Sequence, residues 1–326
     1  MRRYTHLLIL ILSLAIAGVV AGCAERSAET GANAKLDVMV SIEPMAAFVE
    51  AVGGDRVSVT VMVPKGASPH TYEPKPSQLR SVSRAVLYAK VGSGVGFELA
   101  WMDRIVELNK KMRVVDASVG VELLDSGTED EEDAASHDDH GDGLHDDHDS
   151  NGEGATGKEH GAHSHAGGTD PHIWTSPKNA ALMVENIYVA LASLDPEGAE
   201  TYRANKEAYI EELNGLDTRI RALLKGKEGT RVIVYHPAWA YLAVEYGLVE
   251  VPIERDGKAP SPQQIVNIVR RAKRDRVTVL FASPEFSTRA ATVIARELGG
   301  TVVHLSPLDR EYLENMERVA EAFGKL

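Results

Sequence analysis

A single cysteine, Cys23, in 326 residues leaves no partner for an intramolecular disulfide and no second thiolate for a sulfur-ligated metal site. Long apolar runs are equally scarce. The one candidate, Leu7–Val20, is 14 residues, shorter than the roughly 20 that a membrane-spanning helix needs. No surplus of positive charge is present: Lys and Arg total 35 against 48 Asp and Glu, a net charge of −13. Fourteen acidic residues against Lys158 alone lie between Asp125 and Glu159, so that segment carries the whole −13 and the rest of the chain is neutral. A nucleic-acid surface is thereby excluded. No G-x-G-x-x-G follows a strand and no Walker loop is present; Gly92, Gly94 and Gly96 have the wrong spacing, which argues against a nucleotide site. The paired motif H-E-x-x-H of zinc hydrolases is missing as well.

What the first residues do contain is Arg2 and Arg3, the apolar run, and then Ala21-Gly22-Cys23, the three-part layout of an export signal. Val20-Ala21-Gly22-Cys23 looks like a bacterial lipobox, in which the cysteine becomes the lipid-bearing first residue. The expectation is a signal over 1–23 and a polar tether over 24–35. The protein is then extracytoplasmic, periplasmic or at the cell surface, and anchored to the membrane through Cys23. A plain secretory signal is the alternative.

Seven of the twelve histidines, His137, His140, His145, His148, His160, His163 and His165, are interleaved with Asp and Gly in the acidic segment. With almost no apolar residues the stretch 125–169 has little to offset the entropy of ordering, so a disordered loop is expected. Acidic residues alone would solvate equally well. The clustered imidazoles therefore favour a weak, multi-site trap for transition metals over a merely solvating insertion.

On both sides of this segment strands alternate with helices. Leu36–Ser41, Val57–Val63, Ala85–Val91 and Arg113–Asp116 read as strands, with helices over Pro44–Val52, Pro76–Ser83 and Phe97–Asn109. After it come helices over Pro177–Leu194 and, unusually long, Pro196–Leu224. The alternation then resumes with strands at Arg231–Tyr235, Val249–Ile253, Val277–Ala282 and Thr301–Leu305, and helices near 238–246, 261–274, 286–298 and 310–323. The fold class expected is α/β: two similar lobes, each a parallel sheet of about four strands with flanking helices. The divisions expected are an N-terminal lobe over 36–124, a return segment and helix over 170–195, a linking helix over 196–225 and a C-terminal lobe over 226–326.

Outside the leader and the acidic segment four histidines remain. His70 lies in a Pro-rich connection after the second strand, His172 where structure resumes, and His236 at the end of the first strand of the second lobe. Ligands in open α/β sheets gather beyond the carboxyl ends of strands, which suits His70 and His236. Each alone reads more readily as an ordinary hydrogen-bonded residue. Together, beside prolines and drawn from both lobes and the segment between, they suit a site of three imidazoles with one position left for a carboxylate or water. His304, inside the apolar run Thr301–Leu305, reads as structural.

The motifs Pro69-His70-Thr71-Tyr72-Glu73-Pro74 with Gln78, Asp170-Pro171-His172-Ile173-Trp174, Tyr235-His236-Pro237-Ala238-Trp239, Gly257-Lys258 before Pro260-Ser261, and Ser306-Pro307-Leu308 with Tyr312 together carry a resemblance. Over essentially its full mature length the chain resembles the solute-binding proteins of bacterial zinc and manganese ABC importers, and its His-rich insert resembles the zinc branch. The resemblance implies two lobes joined by one long rigid helix, a metal between them, and His70, His172 and His236 as its ligands. It further implies a monomer that serves an ABC importer permease. Where that family often has an aspartate this chain has Ser306; Glu285, Asp309 or water are the candidates for a fourth ligand. A histidine set favours Zn2+ over Mn2+, which prefers more oxygen ligands. A lipid-anchored adhesin or metal buffer, and a zinc hydrolase, are the alternative functions.

Overall fold

The computed structural model describes residues 35–125, 168–254, 260–275, 277–286 and 289–326. The leader with Cys23, nearly all of the tether and of the His/Asp-rich loop, and Gly257-Lys258 lie outside the described residues.

The N-terminal lobe runs β1 (Leu36–Val40), α1 (Glu43–Gly53), β2 (Val57–Val61), α2 (Pro76–Val82), β3 (Leu87–Lys90), α3 (Gly96–Leu108) and β4 (Arg113–Asp116). Two helices follow, α4 (Pro177–Leu194) and α5 (Ala199–Leu224). The C-terminal lobe is β5 (Arg231–Val234), α6 (Ala240–Tyr246), β6 (Val249–Pro252), α7 (Pro262–Arg274), β7 (Val279–Ala282), α8 (Arg289–Glu297), β8 (Thr301–His304) and α9 (Tyr312–Gly324). Both sheets are parallel, with the corresponding orders β2-β1-β3-β4 and β6-β5-β7-β8. In each sheet the first strand sits inside and the chain crosses over it. The carboxyl ends of β1 and β5 therefore open onto a crevice at the point where the winding reverses.

Local chemistry accounts for the element boundaries. Pro44, Pro76, Pro177 and Pro262 occupy first-turn positions of α1, α2, α4 and α7, where a missing N–H costs nothing. The Ser261 hydroxyl accepts from the Gln264 amide while Gln264 accepts from the Ser261 amide, a reciprocal cap at the start of α7. Gly299, at φ 65°, closes α8. The central strands Val38–Val40 and Val232–Val234 are buried, as expected of parallel strands covered on both faces.

Two expectations are corrected. The helix expected over Pro196–Leu224 starts with a separate 3-10 turn, Pro196–Gly198, before α5. Asp195 ends the preceding helix and is claimed by Arg56 (2.7 Å) and Tyr202 (2.6 Å), which reorients the chain there. His304 is exposed rather than built into the core, because β8 is the outer strand of its sheet.

At 26 residues α5 extends about 39 Å. Its buried stripe, Tyr202, Leu213, Leu216, Ile220 and Leu224, recurs at helical spacing, and the helix packs on α1, α4 and α9. Phe48 of α1 meets Tyr312 of α9 edge-on at 4.9 Å. One continuous apolar cluster consequently runs from Val38 through α5 to Phe323, so the lobes share a core rather than hang on a bare linker.

Candidate metal centre

His70 stands in the connection between β2 and α2. That connection is stapled by Gln78, whose side chain donates to the Met62 carbonyl (2.6 Å) and accepts from Tyr72 (2.7 Å) and the Lys75 amide (2.9 Å). The amide of Phe97, at the start of α3, donates to the Pro69 carbonyl (2.7 Å). Gly96 makes this approach possible: a Cβ there would lie 3.1 Å from the His70 Cα.

His172 follows the acidic segment and is buried. Asp170 accepts from both its backbone amide (2.7 Å) and its ring Nδ1 (2.9 Å). Pro171 is tied to the N-terminal lobe by Ser93 Oγ (2.5 Å), and Trp174 to the C-terminal lobe by donating from Nε1 to the Pro307 carbonyl (2.7 Å). Burial opposes ionisation of Asp170, but the His172 ring and the hydrogen bonds from His172 outweigh it and hold the carboxyl below its ordinary value.

His236 directly follows β5 and is also buried. Its ring stacks on Phe286 at 4.0 Å, and Glu254 lies behind it, with Oε2 3.5 Å from Nδ1. Glu250 accepts from the amides of Ala238 (3.1 Å) and Trp239 (3.0 Å), fixing the turn into α6. Burial pushes the His236 pKa below its usual 6.5, which keeps the imidazole neutral and able to donate a lone pair.

These three connections converge. The ring centroids are 5.0, 5.3 and 5.8 Å apart, and one ligating nitrogen from each ring lies within 4.8 Å of the others. Nε2 of His70 and Nε2 of His236 are 3.2 Å apart. Two nitrogens each about 2.0–2.1 Å from a tetrahedral zinc ion stand about 3.3–3.4 Å apart, so this pair already has nearly the spacing of co-ligands. His172 and His236 form the buried wall and half-buried His70 the open side.

Among the described residues no carboxylate joins the group. Ser306 donates to Glu285 Oε1 (2.5 Å), whose other oxygen accepts from Ser283. Asp309 pairs with Lys65 (3.9 Å) and Arg318 (3.6 Å). Neither candidate for a fourth ligand is brought to the imidazoles. The sequence reading missed Glu254 and Phe286. Glu254 carried a weak signal, an acid closing the strand Val249–Ile253; Phe286 carried none.

Comparisons with known proteins identify the family of the chain. The family model of the periplasmic zinc-uptake complex component A, ZnuA, matches residues 38–325. The high-affinity zinc uptake system protein ZnuA of Bacillus subtilis is 29% identical over 302 residues, covering 89% of this chain and 85% of the relative. The zinc-binding lipoprotein AdcA of Streptococcus pneumoniae is 26% identical over 282 residues. That match covers 85% of this chain but only 51% of AdcA, so the chain spans about half the length of that relative. A crystal structure of ZnuA superposes with a TM-score of 0.75 at 32% identity, covering 90% of this chain and 99% of the other.

Proposed function

The chain belongs to the ZnuA family of periplasmic zinc-uptake components, and on that premise we propose that it captures Zn2+ between its lobes through His70, His172 and His236 and delivers it to the permease of an ABC importer. The observation that carries the reading is the convergence of three imidazoles from three separate connections within 4.8 Å of one another. Water supplies the fourth position. An all-nitrogen protein set favours zinc over manganese, which takes more oxygen ligands.

The parts act together as follows. Asp170 and Glu254 stand behind two of the rings, so acidic side chains back the site. The shared core holds both lobes near the binding arrangement, which lowers the ordering cost of capture. The His-rich loop raises the local metal concentration at the cleft, and a lipid on Cys23 keeps the monomeric protein beside its permease. Against a zinc hydrolase stands the missing H-E-x-x-H motif, which would pair a general base with the ligands.

Competition titration of the full chain with zinc and manganese tests the reading. One tight zinc site that disappears in His70→Ala, with manganese bound at least a hundredfold more weakly, is expected. Unchanged tight zinc binding in His70→Ala would remove the proposal.

A further inference from the structure

The carboxylate of Glu254 occupies an unusual place for an acid in this fold. It is 5% exposed, at the end of β6, and its one contact with the site is the 3.5 Å approach of Oε2 to His236 Nδ1. That nitrogen is itself buried and has no hydrogen-bond partner within normal geometry among the described residues. The position of Glu254 is fixed by the sheet: its amide donates to the Tyr235 carbonyl (2.8 Å), and Ile253 donates to Val234 (2.9 Å). Glu254 thus lies alongside His236 because β6 pairs in register with β5.

A neutral imidazole carries one N–H, and only its other nitrogen can bind a metal. For His236 to present Nε2 towards His70, its proton must sit on Nδ1, facing Glu254. The opposite tautomer would set a bare lone pair against a carboxylate in a buried place and would hold a proton where the metal must bind. His172 has the same arrangement in finished form, with Nδ1 2.9 Å from Asp170. Two of the three rings therefore each have a buried carboxylate on the nitrogen that turns away from the site.

We propose that Glu254 is a positioning residue for metal capture: its carboxylate, 3.5 Å from Nδ1, fixes His236 as the Nδ1–H tautomer and leaves Nε2 bare for the ion. Glu254 is not a ligand. It reaches the ring from the side opposite the converging nitrogens and is absent from the group they form. With Asp170 it places a second acidic side chain behind the ligating rings. Outer partners of ligating histidines generally contribute about 10- to 100-fold in metal affinity. The inference rests on the zinc site proposed above.

The test uses the full chain with 15N-labelled histidine, freed of metal by a chelator. Long-range 1H–15N spectra report the tautomer of His236, assigned by its loss in His236→Ala, and competition against a tight zinc chelator reports the strongest site. In Glu254→Ala the His236 ring should shift towards the Nε2–H form while His172 keeps its wild-type signal, and zinc affinity should fall about 10- to 100-fold. Glu254→Gln keeps an acceptor oxygen and should lie between wild type and Glu254→Ala in both readouts. It also carries the test should the alanine variant fail to fold. A wild-type tautomer in the variants, or an affinity within about threefold of wild type, overturns the role of Glu254. Loss of affinity that is equal in both variants with an unshifted ring assigns the effect to bare charge and also overturns it. A wild-type chain without a tight zinc site would instead overturn the function on which the inference rests.

Discussion

Replacing His172 with alanine removes the most deeply buried of the three rings, 4% exposed, and gives the sharpest consequence for binding. Zinc in small structural sites is held by about 10–16 kcal/mol; shared over four coordination positions that is about 2.5–4 kcal/mol for each ligand. At about 1.4 kcal/mol per tenfold, the variant should bind zinc about 60- to 700-fold more weakly. The fold should lose less. Asp170 forfeits the 2.9 Å contact from Nδ1 but keeps the backbone amide of position 172 at 2.7 Å. A buried acceptor that loses one of its partners costs about 1–3 kcal/mol. Competition titration against a chromophoric chelator at pH 7.5 measures the first effect and thermal unfolding of the metal-free protein the second. His304→Ala, on the exposed outer strand, is the control and should match wild type in both. Zinc affinity of His172→Ala within about fivefold of wild type, in a variant with an unaltered fold, would refute the assignment of this ring as a ligand.

Acidification should weaken zinc binding, because protons compete for the same lone pairs. Affinity should hold from pH 8 to about 6.5 and fall below it, and the lowered pKa of His236 should make that fall shallower than for three exposed imidazoles; titrations at pH 7.5, 6.5 and 5.5 showing no decline would contradict this. Glu250→Gln should stabilise the metal-free protein at pH 8. Burial, with the charge of Asp170 adding to it, raises the Glu250 pKa from 4.5 to about 8 despite two amide donors. The folded state therefore holds this proton more tightly than the unfolded chain, and the stability it contributes, full below about pH 4.5, is lost as pH rises to about 8. Glutamine escapes the loss, so the gain in Tm should vanish near pH 4.5, and a pH-independent difference would count against a buried carboxyl there. Deleting 126–166 should leave one tight zinc site and abolish the weaker ones; retention of every site would show that the loop's histidines bind nothing.

Much of this fold is legible from residue order because local signals agree with the tertiary solution. Pro177 and Leu194 bound α4 as read, since Ser176 caps it and Asp195 ends it. The break at Pro196–Gly198 is not legible, because it depends on Arg56 arriving at Asp195 from elsewhere in the chain. His304 misleads for a related reason: apolar neighbours predict burial, but only the strand order shows that β8 has one open side. Of the site, His70, His172 and His236 stand out by their proline-rich settings. Glu254 and Phe286 do not, because their placement comes from strand register and from side chains meeting across a crevice.

X-ray absorption at the zinc edge, on protein lacking 126–166 and loaded with one equivalent of zinc, addresses the central claim most directly. Three imidazole nitrogens at about 2.0–2.1 Å with one further oxygen is the expected first shell, and it should lose one imidazole in each of His70→Ala, His172→Ala and His236→Ala. A shell made mostly of oxygen, or one that none of the three substitutions changes, would contradict the convergence of these imidazoles on a single ion.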